Sequence, residues 1–244
     1  MIYPMLERFN SLVFEPKMIP SVLSHQLDIA VEKVNLNIDL EIERYQDVAQ
    51  RAYDKHNGLM KGQKGKGNYL GLGLQYRDPS NPIFDCVPTI GGKGVMEGGV
   101  RVTAFNQLNE IGEEFSKLIS DFRSLGIELV RGRLLKSRPG QAANQHYDLD
   151  YRIHIPITTN PRAKAIFGSH KIHMPLGGIY LHNGYRKHSF ENLGSEDRIH
   201  LVFVVAGMSF DTGLDLKSPR INEAIEPSDR RAEISPSLSF QGIA

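Results

Sequence analysis

A mostly β domain with supporting helices, closed as an antiparallel sandwich or barrel, is the architecture this sequence predicts. Three observations carry that expectation. Apolar residues recur at helical spacing only in the first half of the chain. From Ile127 the period changes to two, in short runs punctuated by Pro139-Gly140, Gly177-Gly178 and Asn183-Gly184. No helical pattern separates those runs, as it would in a parallel α/β sheet.

The elements follow in order. Residues 1–20 hold Pro4, Pro16 and Pro20 and read as an extended lead-in. Ser21 is placed to cap a helix whose apolar positions are Val22, Leu23, Leu27, Ile29, Ala30 and Val34. A second helix is predicted from about Leu40 to Asp54, with Ile42, Tyr45, Val48, Ala49 and Ala52 on one side and Asn57-Gly58 as its stop. Lys61 to Gly73 is rich in glycine and lysine but lacks the Gly-Lys-Ser/Thr spacing of a phosphate loop, so it reads as a loop leading into a strand at Tyr69 to Tyr76. Asp78 to Pro82 marks a turn, and Gly91 to Gly99 a second glycine-rich loop. Asn106 to Leu125 has the strongest helical stripe, built from Leu108, Ile111, Phe115, Leu118, Ile119 and Phe122, with Gly126 as its end. Strands are then predicted at Val130–Lys136, Tyr151–Thr158, Ala163–Phe167, Ile179–His182, His188–Asn192 and Ile199–Val205. A short helical turn is expected at Ile221–Ile225 in a polar, proline-marked tail.

At 244 residues the chain fits one domain, with 1–126 as helical and loop support, 127–207 as the β core and 208–244 as the tail. The 29 basic and 28 acidic side chains nearly cancel and are scattered, which argues against nucleic acid as a partner. Cys86 is the single cysteine, so no internal disulfide and no zinc–thiolate site is possible. The N-terminal stretch lacks the apolar run of a signal peptide, and the apolar run near Leu201–Ala206 is far too short to span a bilayer. A cytoplasmic protein without membrane contact is expected; composition says nothing about oligomeric state.

Chemistry concentrates between His146 and His200, where seven of the nine histidines lie. In an extended segment, residues two apart point the same way, so His146 and Asp148 can present an imidazole and a carboxylate to one ion. His188 from a neighbouring strand would complete a two-histidine, one-carboxylate set, the ligand type of non-haem Fe(II) oxygenases. Arg198, ten residues further on, enters an apolar strand and needs an anionic partner there. Asp197 or Glu196 could supply a structural salt bridge, but Asp197 would face the other way in a strand. A planar guanidinium also matches a carboxylate in two-point fashion.

His146-Tyr147-Asp148, His188 and Arg198 resemble the 2-oxoglutarate-dependent Fe(II) dioxygenases. The resemblance is closest to the aspartyl/asparaginyl β-hydroxylase branch, which includes bacterial free-proline hydroxylases. Arg133-Leu-Leu135, Pro139-Gly140, Arg152-Ile-His154, His188-Ser-Phe-Glu-Asn192 and Arg198-Ile-His200 carry it, across about Leu129 to Ala206. It implies a double-stranded β-helix (jelly-roll, cupin-like) core. It also implies metal ligation by His146, Asp148 and His188, and co-substrate binding by Arg198, Arg152 and His154, with His200 in support. The implied cofactors are Fe(II), 2-oxoglutarate and O2, with ascorbate as a reductant. The implied reaction is hydroxylation of an amino acid, free or within a peptide, with release of succinate and CO2.

Asp148 is present where animal members of the branch lack the carboxylate ligand, which favours hydroxylation over halogenation. Leu135 stands where some members have a co-substrate serine, and Val204 where the DNA-repair demethylases have a second arginine. Tyr147, Asn144, Arg133, Tyr76 and Arg77 are candidate substrate contacts. His170, His173 and His182 read as surface or hairpin residues; His25 and His56 carry no signal. The rival reading is a cupin-like metal-binding module without oxygenase activity, which would have no need of a carboxylate clamp at Arg198.

Overall fold

A computed structural model describes residues 31–60, 70–87, 102–146, 148, 150–184 and 186–209. The expected leader, the Ser21 cap, both glycine-rich loops, Tyr147 and the tail helix at 221–225 lie outside the described residues.

Eight antiparallel strands form the core: β5 (Leu129–Ser137), β6 (Gln141–Ala142), β7 (Asp150–Thr158), β8 (Ala163–Phe167), β9 (His170–Ile172), β10 (Tyr180–Asn183), β11 (His188–Asn192) and β12 (Arg198–Ser209). One sheet contains the order β10-β7-β12-β5 and the other runs β6-β11-β8-β9. Successive strands alternate between the two sheets except at the β8–β9 hairpin, which lies within the smaller one; this is the double-stranded β-helix. The first sheet is widened to six strands by β1 (Val31–Lys33) beside β10 and β2 (Leu70–Gly73) beside β5. A small ribbon, β3 (Gln75–Tyr76) with β4 (Gln107–Leu108), lies apart.

Strand alternation sorts the larger sheet into two chemically different faces. Ile153, Ile155 and Ile157 of β7, Leu201, Phe203 and Val205 of β12, and Leu134 of β5 share one buried apolar cluster with helices α1 (Ile42–Met60) and α3 (Ser116–Ser124). The opposite face carries Arg133, Arg152, His154, His182, Arg198 and His200, all turned between the sheets. The apolar layer supplies stability, and the interior of the β-helix is left for polar work.

The helices match their expected positions with three corrections. First, the helix expected to reach Val34 gives way to a strand at Val31–Lys33, because β10 offers an open edge there. Second, α1 runs on past Asn57-Gly58 to Met60. Tyr45, Val48, Ala49, Ala52 and Tyr53 are buried, and Gln46 Nε2 donates to the Ile157 carbonyl at 2.7 Å. Third, the stripe over Asn106–Leu125 is not one helix: it splits into β4, α2 (Glu110–Glu113) and α3. Asn109 causes the break. Its side-chain oxygen caps α2 through Ile111 N and Gly112 N, and its amide donates to the Gly73 and Pro82 carbonyls at 2.8 and 2.7 Å. Gly126, at φ 76°, closes α3 as expected: Ile127 N reaches Phe122 O and Gly126 N reaches Arg123 O.

Candidate metal centre

His146 enters the site from a single antiparallel bridge to His188, with His146 N to His188 O at 2.8 Å and the reciprocal bond at 2.9 Å. Asp148 is fixed two residues later by its own N–H on the Gly184 carbonyl. One ligand atom each from His146, Asp148 and His188 lies within 4.8 Å of the others. His188 Nε2 is 3.3 Å and His146 Nε2 3.7 Å from Asp148 Oδ2.

The ring nitrogens that face away settle the tautomers. His146 Nδ1 meets the Asn144 carbonyl at 2.9 Å, and His188 Nδ1 meets the Arg186 carbonyl at 2.8 Å. A carbonyl only accepts, so each Nδ1 carries a proton. Each Nε2 is thereby turned inward toward the Asp148 carboxylate, and becomes a lone pair for an ion once the ring is neutral. Among the described residues, His188 Nε2 is buried with no hydrogen-bond partner, and Asp148 Oδ2 has the Arg152 guanidinium beside it. Two imidazole nitrogens and a carboxylate oxygen converging in this way suit a cation, and two imidazoles with one carboxylate are the donor set that suits ferrous iron. Asp148 is further held by Arg152, whose Nη1 is 2.5 Å from Oδ2. Burial works against its charge, but Arg152 and the two histidines hold its carboxyl well below the usual range. The same carboxylate raises His146, against the pull of burial.

Arg152 is shared with Asp150, its Nε 2.5 Å from Asp150 Oδ1. The arginine expected at the co-substrate is therefore positioned as a brace for two aspartates. Asp150 is itself buried and was not among the expected site residues. Its signal was available: Asp148, Asp150, Arg152 and His154 are spaced by two and share a face.

Arg198 lies across Phe190 from the triad. Its guanidinium carbon is 4.6 Å from the Phe190 ring centre, and that ring is 5.8 Å from the His188 ring. Asp197 does not engage Arg198; it pairs with Lys136 at 2.6 Å. Arg198 Nε instead donates to His200 Nε2 at 3.0 Å. Burial first, and the Arg198 charge second, keep His200 neutral well below its usual range. His154 stacks on Phe190 at 5.4 Å and sits 3.4 Å, Nδ1 to Nδ1, from His200. Asn192 ties the following turn, donating to Ser137 O and Glu196 O.

One histidine expected at the surface is not there. His182 is fully buried in β10, with its ring 4.3 Å from His188 and 5.0 Å from His154, because Leu181 takes the core-facing position and turns His182 inward. His170 and His173 are half-buried near the β9 hairpin, and His56 is buried in α1. Arg77 is spent on Asp85 at 3.0 Å, Tyr76 is half-buried in β3, and Asn144 contributes its backbone carbonyl to His146. Arg133 is buried inside the β-helix, on the same face as Arg152. No helix among the described residues is long and apolar enough to cross a membrane.

Fold and site together define a double-stranded β-helix protein with a histidine–aspartate–histidine cluster at its open interior. No protein-family model matches the sequence, and no curated protein does. Among solved structures, the chain is similar to a Pseudomonas putida prolyl-4-hydroxylase, at TM-score 0.45 and 9% identity over 78% of this chain and 98% of that one. It is also similar to an oxidoreductase of the 2OG-Fe(II) oxygenase family from Burkholderia pseudomallei, at TM-score 0.39 and 9% identity over 73% and 96%. A cupin domain from Bordetella pertussis aligns at TM-score 0.29 and 16% identity over 32% and 82%.

Proposed function

We propose that this protein is an Fe(II)- and 2-oxoglutarate-dependent hydroxylase that inserts one oxygen into a C–H bond of an amino acid, free or within a peptide. One observation carries the reading: one ligand atom each from two histidines and an aspartate lie within 4.8 Å of one another, with Arg198 across a single phenylalanine ring. His146, Asp148 and His188 would hold the iron, and the distal carboxylate of 2-oxoglutarate would pair with Arg198. When bound, ferrous iron supplies oxygen activation and C–H oxidation, coupled to conversion of 2-oxoglutarate to succinate and CO2.

The chain's own residues do the rest. The two Nδ1–carbonyl bonds orient the imidazoles, and Arg152 keeps Asp148 ionised and aimed. Neutral His200 steers the Arg198 guanidinium and adds no charge of its own beside it. The apolar layer under β7 and β12 keeps water from the far side of the sheet. A face of three ligands leaves the remaining coordination positions to co-substrate and oxygen.

The test is anaerobic binding of 2-oxoglutarate to the ferrous protein, followed by succinate release in air with ascorbate. Saturable binding and succinate formation support the hydroxylase. Metal binding with no affinity for 2-oxoglutarate would instead favour the cupin-like module. Mass spectrometry of cell extracts incubated with the enzyme, scanning for the gain of one oxygen, identifies the substrate.

A further inference from the structure

The interior holds a second cationic site. Arg131 and Arg133 lie on β5 with 5% and 2% of their surface exposed, and Arg133 is among the largest fully buried side chains. Among the described residues, Arg133 Nε and Nη2 and Arg131 Nε are buried with no hydrogen-bond acceptor. Among the described residues, the acid paired with Arg131 is Asp150, whose Oδ2 is 3.9 Å from Arg131 Nη1 and already bound by Arg152. Burial, with the charges of Arg131 and Arg152, pushes Arg133 down to about 9, so it stays charged at neutral pH.

The backbone is built to put both guanidinium groups there. The β5–β12 register skips between Val202 and Val204, and Arg131 adopts a φ of 53°, unusual for a residue with a side chain. Gln75 secures this bulge, accepting from Gly132 N at 2.8 Å and donating to Leu129 O at 3.1 Å. Uncompensated buried charge of this kind is strongly unfavourable unless an anion arrives.

We infer that Arg131 and Arg133 form the binding site for a carboxylate of the substrate. Three guanidinium ions here, those of Arg131, Arg133 and Arg152, face two carboxylates, those of Asp148 and Asp150, which leaves one positive charge for a monoanion. The guanidinium fork matches a carboxylate in two-point fashion. The site is separate from Arg198: Arg133 is opposite Val202 on β12, four residues along the strand from Arg198, or about 13 Å. The ion-pair chain Arg131–Asp150–Arg152–Asp148 leads from this site to a candidate metal ligand. A molecule anchored here by a carboxylate is therefore held beside the candidate metal centre. The substrate class this selects is a free or C-terminal amino acid, or one with an acidic side chain.

The name "substrate" rests on the hydroxylase reading; the carboxylate site does not, and the test uses the full metal-free chain. The twenty L-amino acids are added singly, each beside its amide, with the thermal midpoint as the readout. At least one acid raises the midpoint and its amide does not. Arg133→Met has a higher midpoint than the parent without ligand, because a buried unpaired cation is gone, and binds that acid at least tenfold more weakly. A second arm measures 2-oxoglutarate affinity with Mn(II) present: Arg133→Met stays within about twofold of the parent, whereas Arg198→Met loses at least tenfold. A lower midpoint for Arg133→Met would mean an acid of the chain itself pairs with it, and would overturn the proposal. So would equal responses to acids and amides, no response to any acid, or loss of 2-oxoglutarate binding on Arg133→Met. If the acids behave as stated but the ferrous parent ignores 2-oxoglutarate, the hydroxylase reading fails and the carboxylate site stands.

Discussion

A proton on the outward nitrogen of each imidazole is what would let His146 and His188 serve as metal ligands. Those protons are held by the Asn144 and Arg186 carbonyls, so the inward lone pairs are set before any ion arrives. His146→Ala should therefore remove a ligand without disturbing the β-helix. We expect Co(II) affinity, followed by absorption, to fall at least 100-fold, with succinate release lost. Arg198→Ala acts differently, since it leaves the three ligand atoms in place. Metal affinity should stay near the parent value while the concentration of 2-oxoglutarate needed for half-maximal rate rises at least tenfold; a kcat loss at unchanged KM would argue against the assignment. Asn192 is a purely structural counterpart. It is fully buried and links Ser137 O, Glu196 O, Asn160 Nδ2 and Gly194 N. Asn192→Ala leaves several of those groups unpaired, and urea unfolding should show a loss of roughly 2–4 kcal/mol.

At the scale of elements, the period-two stretches were readable because the larger sheet has one oily face and one polar face. Ile153-x-Ile155-x-Ile157 and its polar partners could hardly be anything else. Arg198 opens one of those strands and His188 opens β11 of the smaller sheet, while His146 and Asp148 lie in the link just before β7. What stayed hidden depended on contacts between elements. His182 sits in a Leu-His-Asn segment whose local pattern does not say which strand will lie above it. Arg131 owes its position to a bulge that only the pairing with β12 creates. The division of the Asn106–Leu125 stripe follows from a close approach: a Cβ on Gly112 would stand 2.0 Å from the Leu74 carbonyl oxygen. Helical period and a tight crossing compete there, and the crossing wins because Asn109 anchors it from both ends of its amide. Gly112→Ala should accordingly lower the thermal midpoint by several degrees, although alanine is the better helix former; a gain in stability would show that α2 does not lie against the Leu74 carbonyl.

The whole molecule has folded a set of titratable rings into a space that favours them neutral. His154, His182 and His200 are all fully buried, and burial is the first cause that holds each well below its usual range, reinforced by neighbouring rings and by Arg198 or Arg152. The unfolded chain releases these rings to water, where they take up protons near pH 6.5. Below that pH the unfolded state binds more protons than the folded one, so stability is full above about 6.5 and is lost as the pH falls. Three such groups give a slope approaching 4 kcal/mol per pH unit. His146 acts in a different window: Asp148 raises it, so its contribution is full below about pH 6.5 and is lost as the pH rises above that, which leaves the acid slope unaltered. The metal-free protein should therefore unfold steeply between pH 6.5 and 5, which circular dichroism at fixed temperature would register. Saturating the triad with a divalent ion should not abolish that slope, since His154, His182 and His200 are not among its ligands. A flat profile in that window would mean the three rings are protonated inside the fold, and the interior would then be a far more cationic chamber, with the charge balance around Arg131, Arg133 and Arg198 changed accordingly.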